Sequence, residues 1–208
     1  MLARYLTHPQ VLIDEATPIQ DWALSSQGRD RVMKLADANP WPQTGRIISS
    51  RERKAVETAR ILAEAWDCSL ELRDNQHEND RSSTGFLPRQ QFEAAADQFF
   101  ASPDDSFRGW ETARAAQHRI VSEVDHCLSQ PVGHDTLFVG HGAVGTLLYC
   151  ALSKHEIDRN FDQADGGGNW FAFSAVDLKP LHGWRPLEDC LSRVLPTTPA
   201  GVYPKHKR

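Results

Sequence analysis

Residues 136–148 read Thr-Leu-Phe-Val-Gly-His-Gly-Ala-Val-Gly-Thr-Leu-Leu, and this stretch constrains the fold more than any other. An apolar run turns at Gly140-His141-Gly142 and then places Val144, Leu147, Leu148 and Ala151 at helical spacing. A short apolar run followed by that period predicts a buried strand, a tight turn and a helix. His141 then stands at a strand C-terminus and beside a helix N-terminus. Open α/β sheets carry their ligands outside the strand C-termini. The backbone N–H groups and dipole of a helix start favour an anion there. A histidine at that point either meets a phosphate or carboxylate, or simply fills a polar turn.

The same alternation runs through the preceding residues. Leu2 to Thr7 predicts a strand, ended by His8-Pro9 because proline cannot continue a central ladder. His8 is thus a second histidine at a strand C-terminus. Residues 9–24 read as a loop, and Ser25 as the N-cap of a helix running to about Ala38. Arg46 to Ser50 predicts a second strand. A helix from about Glu52 to Trp66 follows, with Ala55, Thr58, Ala59, Leu62 and Ala63 on one face. Cys68 to Leu72 predicts a third strand. Strands alternating with helices point to an α/β fold. Further helices are expected from Pro88 to Phe100 and from Trp110 to Leu128, the latter with Ile120, Val124 and Cys127 inward. Gly166-Gly167-Gly168 lacks the Gly-Lys-Ser/Thr of a phosphate loop and reads as a turn before a strand at Asn169 to Phe173. Leu181 to Trp184 reads as the end of a terminal hairpin. Residues 74–88 differ: they are polar and aperiodic, and contain His77-Glu78-Asn79-Asp80-Arg81. Long irregular segments inside a domain are often functional, and otherwise are solvated loops.

Bulk properties narrow the class. With 208 residues, 40% of them hydrophobic, the chain suits one domain over residues 1–195 with a tail over 196–208. The tail ends Lys205-His206-Lys207-Arg208 and is expected to be a disordered end. A net charge of −5 lacks the basic footprint of a nucleic-acid binder. No apolar run has the length of a membrane span, and no leader pattern opens the chain, so the expected compartment is the cytoplasm. Cys68, Cys127, Cys150 and Cys190 are widely spaced without a CxxC, which argues against a zinc ribbon or disulfide framework.

Four pieces taken together carry a resemblance. They are Leu6-Thr7-His8-Pro9, the run from Ser49-Ser50 through Lys54-Ala55 to Thr58-Ala59, Glu78 with Asp80, and Val139-Gly140-His141-Gly142. Their order and spacing resemble the histidine phosphatase superfamily, the phosphoglycerate mutase-like enzymes. Leu24-Ser25-Ser26-Gln27-Gly28-Arg29 also resembles that family's Leu-Thr-x-x-Gly helix start. The resemblance implies a three-layer sandwich: a central, mostly parallel sheet flanked by helices. It implies His8 as a nucleophile that takes up a phosphoryl group and His141 as the second pocket histidine. Lys54 would stand at a phosphate-binding arginine position, with Gly142 at the late His-Gly turn. Glu78 or Asp80 would be the general acid, Glu78 being favoured for its longer reach.

The sequence departs from the family pattern at three points. Thr7 stands for the arginine of Arg-His-Gly, Pro9 for its glycine, and Lys54 for the second arginine, with Arg53 beside it. Thr7 offers one hydroxyl and no charge, and lysine is a point charge where arginine is a bidentate fork. Arg4, Arg53 and Arg81 are candidates for the missing charge, and Arg81 is preferred because it shares the polar loop of the candidate acid. The activity implied is a metal-independent phosphomonoesterase with a phosphohistidine intermediate and no cofactor. Its partner would be a small phosphorylated substrate or inorganic phosphate, with no nucleic acid and no membrane, and with homodimerisation left open. The alternative is a catalytically weak phosphate-binding or interaction protein on the same fold. A metal hydrolase built on His8, His77, Glu78 and His141 lacks any tight ligand spacing.

Overall fold

The first strand, β1 (Leu2–Thr7), is buried along nearly its whole length, which requires cover on both faces. In the computed structural model, which describes residues 1–130 and 133–191, it lies inside a six-stranded sheet. The other strands are β2 (Thr44–Ser50), β3 (Ser69–Arg73), β4 (Asp135–Gly140), β5 (Asn169–Ser174) and β6 (Arg185–Pro186). Their spatial order is β3-β2-β4-β1-β5-β6. The first four of that order are mutually parallel, and β5 and β6 pair antiparallel. The helices are α1 (Ser26–Ala38), α2 (Arg53–Trp66), α3 (Arg89–Ala101), α4 (Ala113–Leu128), α5 (Gly142–Ser153) and the one-turn α6 (Glu188–Leu191).

Strand side chains alternate between faces, so one sheet feeds two cores. Tyr5, Ile48, Phe138 and Phe171 pack with residues of α3, α4 and α5. Leu6, Ile47, Leu137, Val139 and Trp170 pack with α1 and α2. This is the expected α/β sandwich with helices on both sides of a mostly parallel sheet.

Two helix starts differ from the sequence reading, and for one reason each. The second helix begins at Arg53, leaving Glu52 outside it in extended backbone as the N-cap residue. The helix expected from Trp110 begins at Ala113, because the Thr112 side chain accepts the Ala115 N–H and caps it there. Trp110 instead lies buried before the helix and donates its Nε1–H to Thr84 at 2.9 Å. The expected tail at 196–208 lies outside the described residues.

The register places the two histidines. Thr7 on β1 faces Gly140 on β4 in a parallel pair, and the His8 N–H donates to the Gly140 carbonyl at 3.0 Å. His8 and His141 therefore leave neighbouring strands at the same sheet edge. From the other side the triple-glycine turn clasps His8: the Gly168 N–H donates to its carbonyl at 3.1 Å. Gly167 has φ +63°, and a Cβ there would sit 2.3 Å from the His8 carbonyl oxygen. Only glycine fits both the left-handed backbone and that approach. The three glycines are thus a turn before a strand, and the turn holds the backbone of the first histidine.

Candidate active site

The rings of His8 and His141 lie edge to face with centroids 5.2 Å apart. His8 Nδ1 is 2.9 Å from the Pro9 carbonyl oxygen. A carbonyl can only accept, so Nδ1 carries the proton and Nε2 is left with its lone pair. Burial is the main cause that lowers the His8 pKa from 6.5 to about 4, with Lys54 adding to it. The ring is therefore neutral near pH 7, as a nucleophile must be.

His141 is fully buried and stands as the N-cap residue of α5. Its backbone is held by the Tyr5 phenol, which accepts its N–H at 3.1 Å and lies 3.3 Å from its carbonyl oxygen. Burial pushes its imidazole well below the ordinary range, and Glu52 pulls the other way. Glu52 Oε1 lies 3.5 Å from His141 Nε2.

The helix start beside His141 is already filled. Glu78 accepts the N–H groups of Val144 at 3.1 Å and Ala143 at 3.3 Å. The anion position at the start of α5 thus holds this chain's own carboxylate. Burial raises the Glu78 pKa, Arg81 opposes, and Glu52 adds to the rise. Glu78 lines a cavity of about 420 Å³ together with His8, Arg81, Phe92, Gly142 and Gln163. Asp80 is exposed and takes the Ser82 N–H at 2.9 Å, capping a turn. Of the two candidate acids, Glu78 is the one beside the histidines.

The expected phosphate ligands divide in the same way. The Arg81 guanidinium lines that cavity and lies 4.8 Å over the Phe92 ring. Burial works against its charge, while Glu78 and Glu52 support it. Lys54 is buried and donates to Glu52 and to the Ile19 carbonyl, the latter at 2.8 Å. Arg53, expected beside it, points outward on α2 and pairs with Glu57. Thr7 is buried with its hydroxyl committed: it donates to Gln163 Oε1 at 2.7 Å and accepts the Asn169 N–H at 3.0 Å. The Thr7 hydroxyl is thus spent within the fold and Arg53 on Glu57, and neither residue lines the cavity of His8. Arg4 pairs with Asp135 at the far end of β1 and β4.

The profile of the histidine phosphatase superfamily (branch 1) matches residues 14–174, a span that begins after His8 and contains Lys54, Glu78 and His141. The chain belongs to the histidine phosphatase superfamily. Two curated relatives, probable phosphoglycerate mutases of Salmonella paratyphi C and Salmonella choleraesuis, are each 25% identical over 141 residues. That alignment covers 64% of this chain, and the chain spans 64% of those relatives' length. Among solved structures, Bacillus stearothermophilus YhfR superposes with a TM-score of 0.74 at 19% identity, covering 88% of this chain and 94% of that one. A mycobacterial glucosyl-3-phosphoglycerate phosphatase gives 0.69 at 19%, covering 88% and 95%. A putative alpha-ribazole-5'-P phosphatase from Escherichia coli gives 0.69 at 16%, covering 90% and 98%. At these identities the structural likeness establishes the shared fold.

This histidine phosphatase superfamily member has three site residues that sequence reasoning passed over. Glu52 reads as an ordinary acidic residue at a helix start, yet it contacts His141 and Lys54. Asn79 is buried, lines the cavity, and its Nδ2 has no hydrogen-bond partner among the described residues. Tyr5 reads as strand core, and its phenol is what fixes His141. Of the set weighed for a metal, His77 lies with Nδ1 2.6 Å from the Glu78 carbonyl oxygen. Among the described residues no three or more of His, Cys, Asp and Glu cluster in a way that could hold a metal ion.

Proposed function

We propose that the chain is a phosphomonoesterase that hydrolyses a small phosphorylated substrate through a phosphohistidine on His8. The observation that carries this is the His8 ring. Its Nδ1–H is spent on the Pro9 carbonyl, and the ring lines a cavity with Glu78 and Arg81, edge-on to His141. In the first step Nε2 attacks phosphorus, the N–P bond forms and the ester P–O bond breaks. The leaving alkoxide takes the proton of the Glu78 carboxyl, whose pKa burial has raised. In the second step water attacks phosphorus, gives a proton to Glu78 and releases phosphate and neutral His8. Arg81 supplies fixed positive charge to the phosphoryl oxygens, and Asn79 Nδ2 supplies a donor. Phosphoryl transfer has a loose transition state, so positioning and charge of this kind do most of the work. Structures of the mycobacterial phosphatase bound to phosphate and to vanadate agree with this class of ligand.

Turnover of an aryl phosphate by the wild type and by His8→Ala tests the reading. The variant should lose turnover, and the wild type, quenched during turnover, should carry acid-labile, base-stable phosphate on His8. Near-normal turnover in the variant would reassign the nucleophile.

A second reading has its own support. Thr7 brings no charge, and the Glu52 carboxylate stands against His141. A chain that binds vanadate but traps no phosphate on His8 would be the weak phosphate-binding protein on this fold.

A further inference from the structure

Glu52 has no counterpart among the roles assigned so far. Its backbone N–H donates to the Ser50 hydroxyl at 3.1 Å, which holds it at the mouth of α2. Its side chain turns inward and reaches three separate parts of the chain. Oε2 takes the Lys54 ammonium, while Oε1 accepts the Glu78 N–H at 2.8 Å and faces His141 Nε2 at 3.5 Å. Glu52 also lines a cleft with Glu78, Asn79 and Arg81, and those three residues line the His8 cavity as well. The two hollows therefore adjoin; Glu52 lines the cleft on one side, and its carboxylate reaches the buried His141, whose ring lies edge to face with His8. The charged and titratable groups around it are Lys54 from α2, His8 from the end of β1, His141 at the start of α5, and Glu78 and Arg81 from the loop after β3. Burial would push Glu52 up, but the Lys54 ammonium and the Glu78 N–H hold it below the usual carboxylate range, with His141 adding to this only when its ring is protonated.

An ionised carboxylate only accepts hydrogen bonds. A phosphoryl dianion offers it no proton and brings two like charges to a buried site. A phosphoryl monoanion offers one P–O–H donor and one fewer charge. The second ionisation of a phosphomonoester lies near pH 6, so both forms are present under ordinary conditions.

We propose that Glu52 selects the singly charged, protonated phosphoryl group by accepting its P–O–H hydrogen bond. This inference rests on the phosphoryl-transfer reading above. It makes the protonation state of the substrate a determinant of specificity, and it makes substrates with a higher second ionisation better substrates at a given pH.

Two ligands separate the proton from the charge. Methylphosphonate has a P–C bond that the reaction above cannot cleave, and its monoanion carries one ionisable proton. Methanesulfonate has the same shape and the same single charge and carries no such proton. Calorimetric titration of the wild type with both is made one pH unit below and one above the second ionisation of methylphosphonate. Methylphosphonate should bind in its monoanionic form at least about tenfold more tightly than methanesulfonate. It should weaken about tenfold as it becomes the dianion, beyond any change seen with methanesulfonate. Any loss due to deprotonating histidines falls on both ligands and is read directly from methanesulfonate. In Glu52→Gln the difference between the two ligands should collapse, and the dianion should bind better than it does to the wild type. Equal binding of the two monoanions by the wild type overturns the proposal, whatever the variant does. If the dianion binds as well as the monoanion while phosphate is trapped on His8 during turnover, the phosphatase reading stands and only the role of Glu52 falls. If neither ligand binds and no phosphate is trapped, both fall together.

Discussion

At the scale of single residues, the cations of the His8 cavity come from outside the strand-end and α2 positions: neither Thr7 nor Lys54 lines it. Thr7 has become a structural hydroxyl between β1 and β5, and Lys54 lies under Glu52 and the Ile19 carbonyl. Arg81, resting on Phe92, lines the cavity of His8 and Glu78; the other arginine of that lining, Arg159, is paired with Glu93 and Asp97. Hydrogen bonds to charged groups contribute about 1.5–3 kcal/mol. At about 1.4 kcal/mol per tenfold, Arg81→Met should weaken vanadate or phosphate binding by about one to two orders of magnitude. Arg81→Lys should recover part of the loss, because charge returns without the planar fork. Titration calorimetry reads both. A larger loss in Lys54→Met than in Arg81→Met would return the leading role to Lys54. The preference for Arg81 could be formed from sequence because it shares a loop with Glu78. Glu52 could not, because an acid at a helix start is ordinary for electrostatic reasons alone. Its inward turn is held by Lys54 and by the Glu78 N–H, the latter 26 positions away (78 − 52), and brings it 3.5 Å from His141.

At the scale of elements, the site is a set of strand ends held by turns. The triple-glycine turn shows how narrow that hold is. Gly167→Ala would place a methyl 2.3 Å from the His8 carbonyl oxygen in a left-handed backbone. The strain alone costs about 1–3 kcal/mol, so the midpoint of thermal unfolding should drop by several degrees. Turnover should fall as well, because the turn can relax only by moving His8. An unchanged midpoint with unchanged turnover would mean that the turn accommodates a side chain elsewhere. Strands β1 and β4 were legible because they are short, mostly apolar runs ended at His8-Pro9 and at Gly140-His141. The turn's location was legible from three successive glycines. Its partner was not, since the hydrogen bond from Gly168 to His8 spans 160 positions (168 − 8). The start of α4 was misplaced by three residues because Trp110 fits a helical apolar period and is in fact buried in the connection before it.

At the scale of the whole molecule, buried titratable groups at the sheet edge couple stability to pH. His8 has a pKa of about 4 in the folded protein against 6.5 without its surroundings. Between those values the unfolded chain binds the proton and the native one does not, so stability falls as pH drops through that window. His141 is shifted in the same direction. Glu52, held low in the native state, loses its contribution as pH falls below about 4.5; Glu78, raised by burial, takes up its proton above that value and so offsets part of the histidines' loss. Urea midpoints should therefore decline from pH 7 to pH 4.5, and His8→Asn should flatten the decline. A variant with the wild-type slope would remove His8 from the linkage. The α/β architecture was readable from the alternation of strands and helices; the order of strands in space was not, because pairing joins residues far apart. β1, made first, receives one neighbour from β4 and the other from β5. On a ribosome, then, the first strand emerges with neither neighbour yet synthesised. His8 acquires its partner histidine only after residue 141 has left the exit tunnel, and its glycine clasp only after residue 168. The strand that leads into His8 therefore waits for partners 133 and 160 positions further along the chain (141 − 8 and 168 − 8) before its surroundings are assembled.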